Sequence, residues 1–193
     1  MSILFADVRG STALAERLTA TAFSDVMRGF YVRATGIVER FGGTMDKFIG
    51  DGVVALFLGD DAVDHARRAI DAAHALVVSL DAEARPWPPV AVGVHTGIAW
   101  LGLIPGPHGT DDLTALGDSV NVAAHLCAAA GAGEVAISSE TWSAAGVPHT
   151  IASRSLLLKR RRRPISARFS GAPAQSCLAV GGGGESKSLR YSP

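Results

Sequence analysis

The chain has 193 residues, 48% hydrophobic and 19% charged, a globular composition that excludes a disordered chain. Lysine plus arginine equal aspartate plus glutamate at 18 each, so no whole-chain field draws it to nucleic acid or an anionic membrane. Two cysteines, Cys127 and Cys177, make no disulfide framework and no metal-type spacing, which points to a reducing, cytoplasmic compartment.

The length suits one domain. An apolar strand, Ile3-Leu4-Phe5-Ala6-Asp7-Val8, opens the chain, and Gly10-Ser11-Thr12 turns it into a short helix with Ser11 or Thr12 as the expected N-cap. Only Met1 and Ser2 precede this strand, which leaves room for a missing margin or an upstream domain, and no secretory signal is visible. The stripe Phe23, Val26, Met27, Phe30, Ile37, Val38, Phe41 predicts a helix over 22–41, closed by Gly42-Gly43.

A hairpin follows, its two strands meeting at Gly50-Asp51-Gly52, where glycine allows the positive backbone angles of a two-residue turn. Lys47 lies four residues before Asp51, so both leave the sheet on one side if no bulge intervenes. A helix is expected over 62–84, its polar face (His65, Arg67, Arg68, Asp71, His74) read as solvated charges. Pro86-Trp87-Pro88-Pro89 is a stiff link into strands over 90–95 and 98–103. This apolar stretch is broken by Gly93, His95, Gly97 and Gly102 and is too short for a membrane span.

A loop over 106–111, a strand over 113–116 and a helix over 118–129 come next. A strand over 134–137, a short helix with Ser139 as candidate cap, and strands over 150–158 and 165–169 complete the predicted domain, 1–169. Residues 170–193, with Gly181 to Gly184, read as a disordered tail. This order predicts an α+β sandwich of ferredoxin-like or palm type: a central, mostly antiparallel sheet with helices packed on one face.

If the first strand lies beside the hairpin, Asp7 and Asp51 face one point and offer hard oxygen ligands to a divalent cation. Singly, Asp51 equally suits a surface hairpin tip and Asp7 a turn or cap. Asn121 and His125 share a helix face that Ala123 and Ala124 leave open to close approach, though such an asparagine also suits plain packing.

Four stretches, in order, resemble the class III nucleotidyl cyclases, the adenylyl and guanylyl cyclase catalytic domains. They are Phe5-Ala6-Asp7-Val8-Arg9-Gly10-Ser11-Thr12, Lys47-Phe48-Ile49-Gly50-Asp51, Val92-Gly93-Val94-His95-Thr96-Gly97 and Leu116-Gly117-Asp118-Ser119-Val120-Asn121-Val122-Ala123-Ala124. The resemblance implies that Asp7, Asp51 and the Val8 carbonyl hold two Mg²⁺ or Mn²⁺ ions, and that Gly10, Ser11 and Thr12 meet the triphosphate at a helix N-terminus. The ribose 3′-hydroxyl of ATP would then displace pyrophosphate from the α-phosphorus, giving 3′,5′-cyclic AMP. Lys47 and Thr114 match the base-selecting pair and resemble adenine-selective members, guanine-selective ones usually carrying Glu and Cys there.

Asn121 matches the ribose-orienting residue, and Lys159 the phosphate-binding lysine, although Arg160 replaces the glycine that usually follows. The family's sites lie between two subunits, so the resemblance implies a homodimer. His125 stands where the family has an arginine that stabilises charge on the transferring phosphate; histidine is shorter and only partly charged near neutrality. A low-activity enzyme and a non-catalytic dimerisation or nucleotide-sensing module therefore both stay open. A diguanylate-cyclase palm is disfavoured because Gly42-Gly43 runs into Thr44-Met45. The basic run 159–163 reads as a solvated turn, not a nucleic-acid surface.

Overall fold

A computed structural model describes residues 1–81, 88–105, 111–147, 153–157 and 164–171. Strand β1 (Ser2–Val8) sits at the centre because its apolar residues alternate to both faces: Leu4, Ala6 and Val8 join one core, Ile3 and Phe5 another. Around it the strands β2 (Thr44–Ile49), β3 (Gly52–Phe57), β4 (Val90–Thr96), β7 (Val135–Ser138), β8 (Ser153–Leu156) and β9 (Ile165–Ser170) form one seven-stranded sheet, ordered β2-β3-β1-β4-β7-β9-β8. Among the described strands only β4 and β7 pair in parallel. The mostly antiparallel α+β sandwich is thus what the chain forms.

Helices α2 (Ala20–Arg40), α3 (Ala62–Asp81) and α5 (Ser139–Ala145) gather on one face, where Phe30, Val38, Leu76 and Trp142 pack on Leu4, Phe57 and Val92. The short α1 (Ser11–Arg17) leads into α2. One helix departs from the one-face expectation. α4 (Asp118–Ala129) lies across the sheet, its Val122, Ala123 and Leu126 covering Ile3, Ala91 and Ala136. The reason is that β1, β3 and β4 are apolar on both faces, and each face needs cover. Close contact is possible because β4 carries Gly93 there: a Cβ at that position would stand 2.2 Å from Cys127 N and 2.4 Å from Ala123 O.

Strands β5 (Trp100–Pro105) and β6 (Asp111–Leu116) leave the main sheet as a separate two-stranded arm. The hairpin turn has the expected two residues, with Ile49 opposite Gly52 and Gly50 at φ 58°. The register of β2 slips between Met45 and Lys47, so Asp46 is the extra residue of a β-bulge.

Three local expectations fail for identifiable reasons. Gly10, at φ 76°, holds the N-cap position of α1 without any side-chain cap, because the Ser11 hydroxyl is engaged elsewhere and Thr12 is exposed. Ser138, not Ser139, caps α5 by accepting from Thr141 N. The polar face of α3 is not solvated throughout. His65 is buried, its Nδ1 2.9 Å from Ser2 Oγ, and His74 Nε2 lies 2.6 Å from Ser170 Oγ.

Arg67 donates to the Ala145 carbonyl and Arg68 to that of Leu58, so the end of α5, strand ends and loops overhang this flank; of the five, Arg67 and Asp71 stay exposed. The Pro86-Trp87 half of the stiff link, most of the 106–111 loop, the tail beyond Gly171 and the whole basic run with Lys159 lie outside the described residues. Among the described residues no helix is long and apolar enough to cross a membrane.

Candidate active site

The site grows from the pairing of β1 with the hairpin. Asp7 stands opposite Gly52, and Val8 N donates to the Asp51 carbonyl at 3.2 Å, which pins the strand end to the hairpin tip. Two carboxylates far apart in sequence are thereby brought together. Ser11, the first residue of α1, donates its hydroxyl to Asp51 Oδ2. On the other side of the tip, the Tyr31 hydroxyl donates to the Gly50 carbonyl, its ring 4.8 Å from that of Phe48. Burial and the Asp51 charge push the Tyr31 phenol above its ordinary range.

Burial also raises the Asp7 carboxyl above the usual aspartate range, with Asp51's charge and its hydrogen bond adding to the rise and Arg9 opposing it. Arg9 Nη1 donates to Asp7 Oδ2 at 2.7 Å, while Nη2 donates to the carbonyls of Cys127 and, at 3.1 Å, Ala130. This guanidinium ties a carboxylate to the last turn of α4. It also leaves a net negative charge, one cation against two carboxylates. A cavity of about 390 Å³ opens there, lined by Asp7, Asp51 and Arg9 and roofed by Ala124, Cys127 and Ala128. Cys127 donates its thiol to the Ala91 carbonyl at 3.3 Å, and burial pushes it up to about 12, so it is an inert packing group.

The donor set fits a small hard divalent ion. Among the described residues no group of three or more His, Cys, Asp or Glu side chains could cage a metal. Mg²⁺, however, is typically bound by one or two carboxylates, with water and substrate phosphate completing its shell. Two mutually repelling carboxylates, one with a raised pKa, suit that role. Val8 keeps its side chain in the core at the same strand end, and Gly10 is exposed at the start of α1.

A second cluster lies further along the hairpin. Lys47 Nζ donates to Thr114 Oγ1, joining β2 to the β5–β6 arm. Thr114 in turn donates to Asp46 Oδ2 at 3.3 Å, and Lys47 Nζ lies 3.2 Å from the same oxygen. The Asp46 side chain is fully buried, and its Oδ1 has no hydrogen-bond partner.

Lys47 and Thr114 therefore meet, as do Asp7, Asp51 and Ser11, but none of Lys47, Thr114, Asn121 and His125 lines the carboxylate cavity. Asn121 is exposed on α4 and His125, one turn on, is half-buried. Arg9, Asp46 and Tyr31 escaped the sequence reading. Arg9 had a usable signal, since residues two apart on a strand share a face with Asp7. Asp46 and Tyr31 had none without the bulge and the tertiary contact.

Residues 1–157 match the family model for the adenylate and guanylate cyclase catalytic domain. Similar proteins include the terminal-differentiation-specific adenylate cyclase of Dictyostelium discoideum, 31% identical over 128 residues, or 64% of this chain and 6% of that protein. An adenylate cyclase of Anabaena cylindrica is 30% identical over 137 residues, 65% of this chain and 26% of that protein. The chain thus spans about a quarter or less of these relatives. Among solved structures, the guanylyl cyclase Cya2 superposes with a TM-score of 0.79 at 25% identity, covering 93% of this chain and 96% of that one. The adenylyl cyclase CyaB from P. aeruginosa gives 0.70 at 30% identity, covering 92% and 96%.

Proposed function

Because the chain belongs to the adenylate and guanylate cyclase catalytic-domain family, we propose that it makes 3′,5′-cyclic AMP and pyrophosphate from ATP, as an adenylyl cyclase in cyclic-nucleotide signalling. The observation that carries this reading is the convergence of Asp7 and Asp51 on one cavity, on the sheet face that also bears the Lys47–Thr114 contact. Asp7, Asp51 and the Val8 carbonyl would hold divalent metal, Mg²⁺ or Mn²⁺, two ions per site. Bound there, the metal supplies activation of the ribose 3′-hydroxyl and charge neutralisation of the triphosphate.

The chain's own residues do the rest by positioning. Ser11 fixes the Asp51 carboxylate, and the α1 N-terminus at Gly10, Ser11 and Thr12 faces phosphate. Lys47 and Thr114 read the base, Asn121 orients the ribose, and His125 supplies what cationic help the transferring phosphate receives. Lys159 is assigned to the triphosphate on sequence alone.

A homodimer completes the site. Lys47, Thr114, Asn121 and His125 stay outside the cavity of their own Asp7 and Asp51, and the arm with its approach is unusually apolar: Ile98, Trp100, Leu103, Leu113 and Leu116 are 95, 54, 60, 48 and 47% exposed. The second reading, a nucleotide-sensing or dimerisation module without turnover, rests on His125.

The deciding experiment incubates purified protein with ATP and Mn²⁺, GTP as control, and separates the nucleotides by chromatography. Cyclic AMP is the expected product. ATP binding without cyclic product would establish the module instead. Mixing Asp51→Asn copies with Asn121→Ala copies should restore turnover neither possesses, and a mixture as inactive as its parts would remove the shared site.

A further inference from the structure

Asp46 is the least expected group in the molecule: a carboxylate with no exposed side-chain surface, one oxygen unpartnered, held on a bulge. Burying such a group opposes folding unless it is fully satisfied, so packing does not explain it. Its contacts do. The bulge lets Asp46 and Lys47, adjacent residues that regular pleating would send to opposite faces, both reach Thr114.

The consequence follows from counting protons. A threonine hydroxyl has one hydrogen and two lone pairs. A carboxylate can only accept, so the Thr114 hydrogen goes to Asp46 Oδ2. One lone pair takes the Lys47 N–H, and one remains. Of the three Lys47 N–H donors, one goes to Thr114 and one faces Asp46 at 3.2 Å, which leaves one. The pair is thus left with one acceptor and one donor. Adenine offers the complement, a donor at its exocyclic N6 and an acceptor at N1. Guanine offers the reverse, an acceptor at O6 and a donor at N1.

We propose that Asp46 is a positioning residue for base choice: by taking the Thr114 hydroxyl proton it turns an ambivalent hydroxyl into a fixed acceptor that selects adenine over guanine. This deepens the reading that Lys47 and Thr114 contact the base, and rests on it. Replacing Asp46 with Asn supplies an amide that can donate to Thr114, so the hydroxyl is free to turn its hydrogen towards a guanine O6.

The test compares wild type with Asp46→Asn for the ATP-to-GTP ratio of kcat/KM and for the Kd ratio of 3′-deoxy-ATP and 3′-deoxy-GTP, which bind without cyclising. The ratio should fall about tenfold or more, as expected for mispaired buried polar groups, with Tm and oligomeric state as controls on the fold. In a Thr114→Val background, Asp46→Asn should move the ratio no further, and an equal shift there would show that Asp46 acts by another route and overturn the proposal. Should Asp46→Asn not fold, Thr114→Val alone must lose the adenine preference, and retention overturns the proposal. A wild-type protein indifferent to the base overturns the ATP reading and this inference together. A wild-type preference that survives Asp46→Asn in a folded protein overturns this inference alone.

Discussion

On one face of the central sheet Leu4, Val53, Phe57 and Val92 disappear beneath α2, α3 and α5, and Phe30, Val38 and Leu76 close over them. On the other, the same strands present Ile3, Val54 and Leu56 beside Asp7 and Lys47, covered by an alanine-rich α4 and a partly open arm. The first face is built from large side chains that exclude water. The second uses small ones that leave a cavity between carboxylates and helix. Large-residue packing and the candidate site are divided between the two sides of one set of strands, so substitutions on each side should fail in different assays.

The sharpest separation comes from Asp7→Asn and Asp51→Asn. Each should lower metal-dependent turnover at least about a thousandfold without lowering Tm. Asp7→Asn should in fact raise the stability of the metal-free protein at neutral pH. The sign follows from the raised Asp7 pKa: the folded state holds that proton more tightly than the unfolded chain, so stability falls as pH rises above the ordinary aspartate range. Denaturant unfolding at neutral pH checks it, and a destabilised Asp7→Asn protein would contradict the division.

On the opposite face Phe57→Ala should cost about 3–5 kcal/mol in denaturant unfolding, since Phe57 is wholly buried. The folded protein should keep wild-type KM. Smaller again, His125→Arg should raise turnover about ten- to a hundredfold with Tm unchanged, and equal turnover would end the phosphate role of this position.

The smallest effect is a pH slope from the flank of α3. Burial holds His65 and His74 below the ordinary histidine range, so the unfolded chain takes up their protons first as pH falls. Stability should therefore be lost on acidification through that range, and His74→Gln should flatten the slope of unfolding free energy against pH.

Much of the carboxylate-bearing face was legible because its signals are local. β1 carries Asp7 one residue before its end, the glycine-flanked Asp51 marks a two-residue turn, and the helix over 118–129 has its expected bounds. What the sequence hid depends on how elements meet. Helical periodicity assigned His65 and His74 to water, but it describes the helix alone and not the Ser2 and Ser170 that stand over its flank. The capping hydroxyl of Ser11 was a sound local inference until a carboxylate 40 residues away competed for it. The bulge at Asp46 left no mark in composition or alternation, and with it went any hint of a buried carboxylate beside Lys47.

Gly93 turns an absent side chain into a spacing device. Because α4 rests against bare backbone there, even one methyl group would wedge the helix outward, carrying Asn121 and His125 with it and pulling on the Arg9 guanidinium that ties Asp7 to its last turn. The depth of the cavity between Asp7, Asp51 and the helix that roofs them is thus set by a residue that does not line it, and a chain altered only at position 93 should keep both acidic side chains yet lose the shape of the space they face.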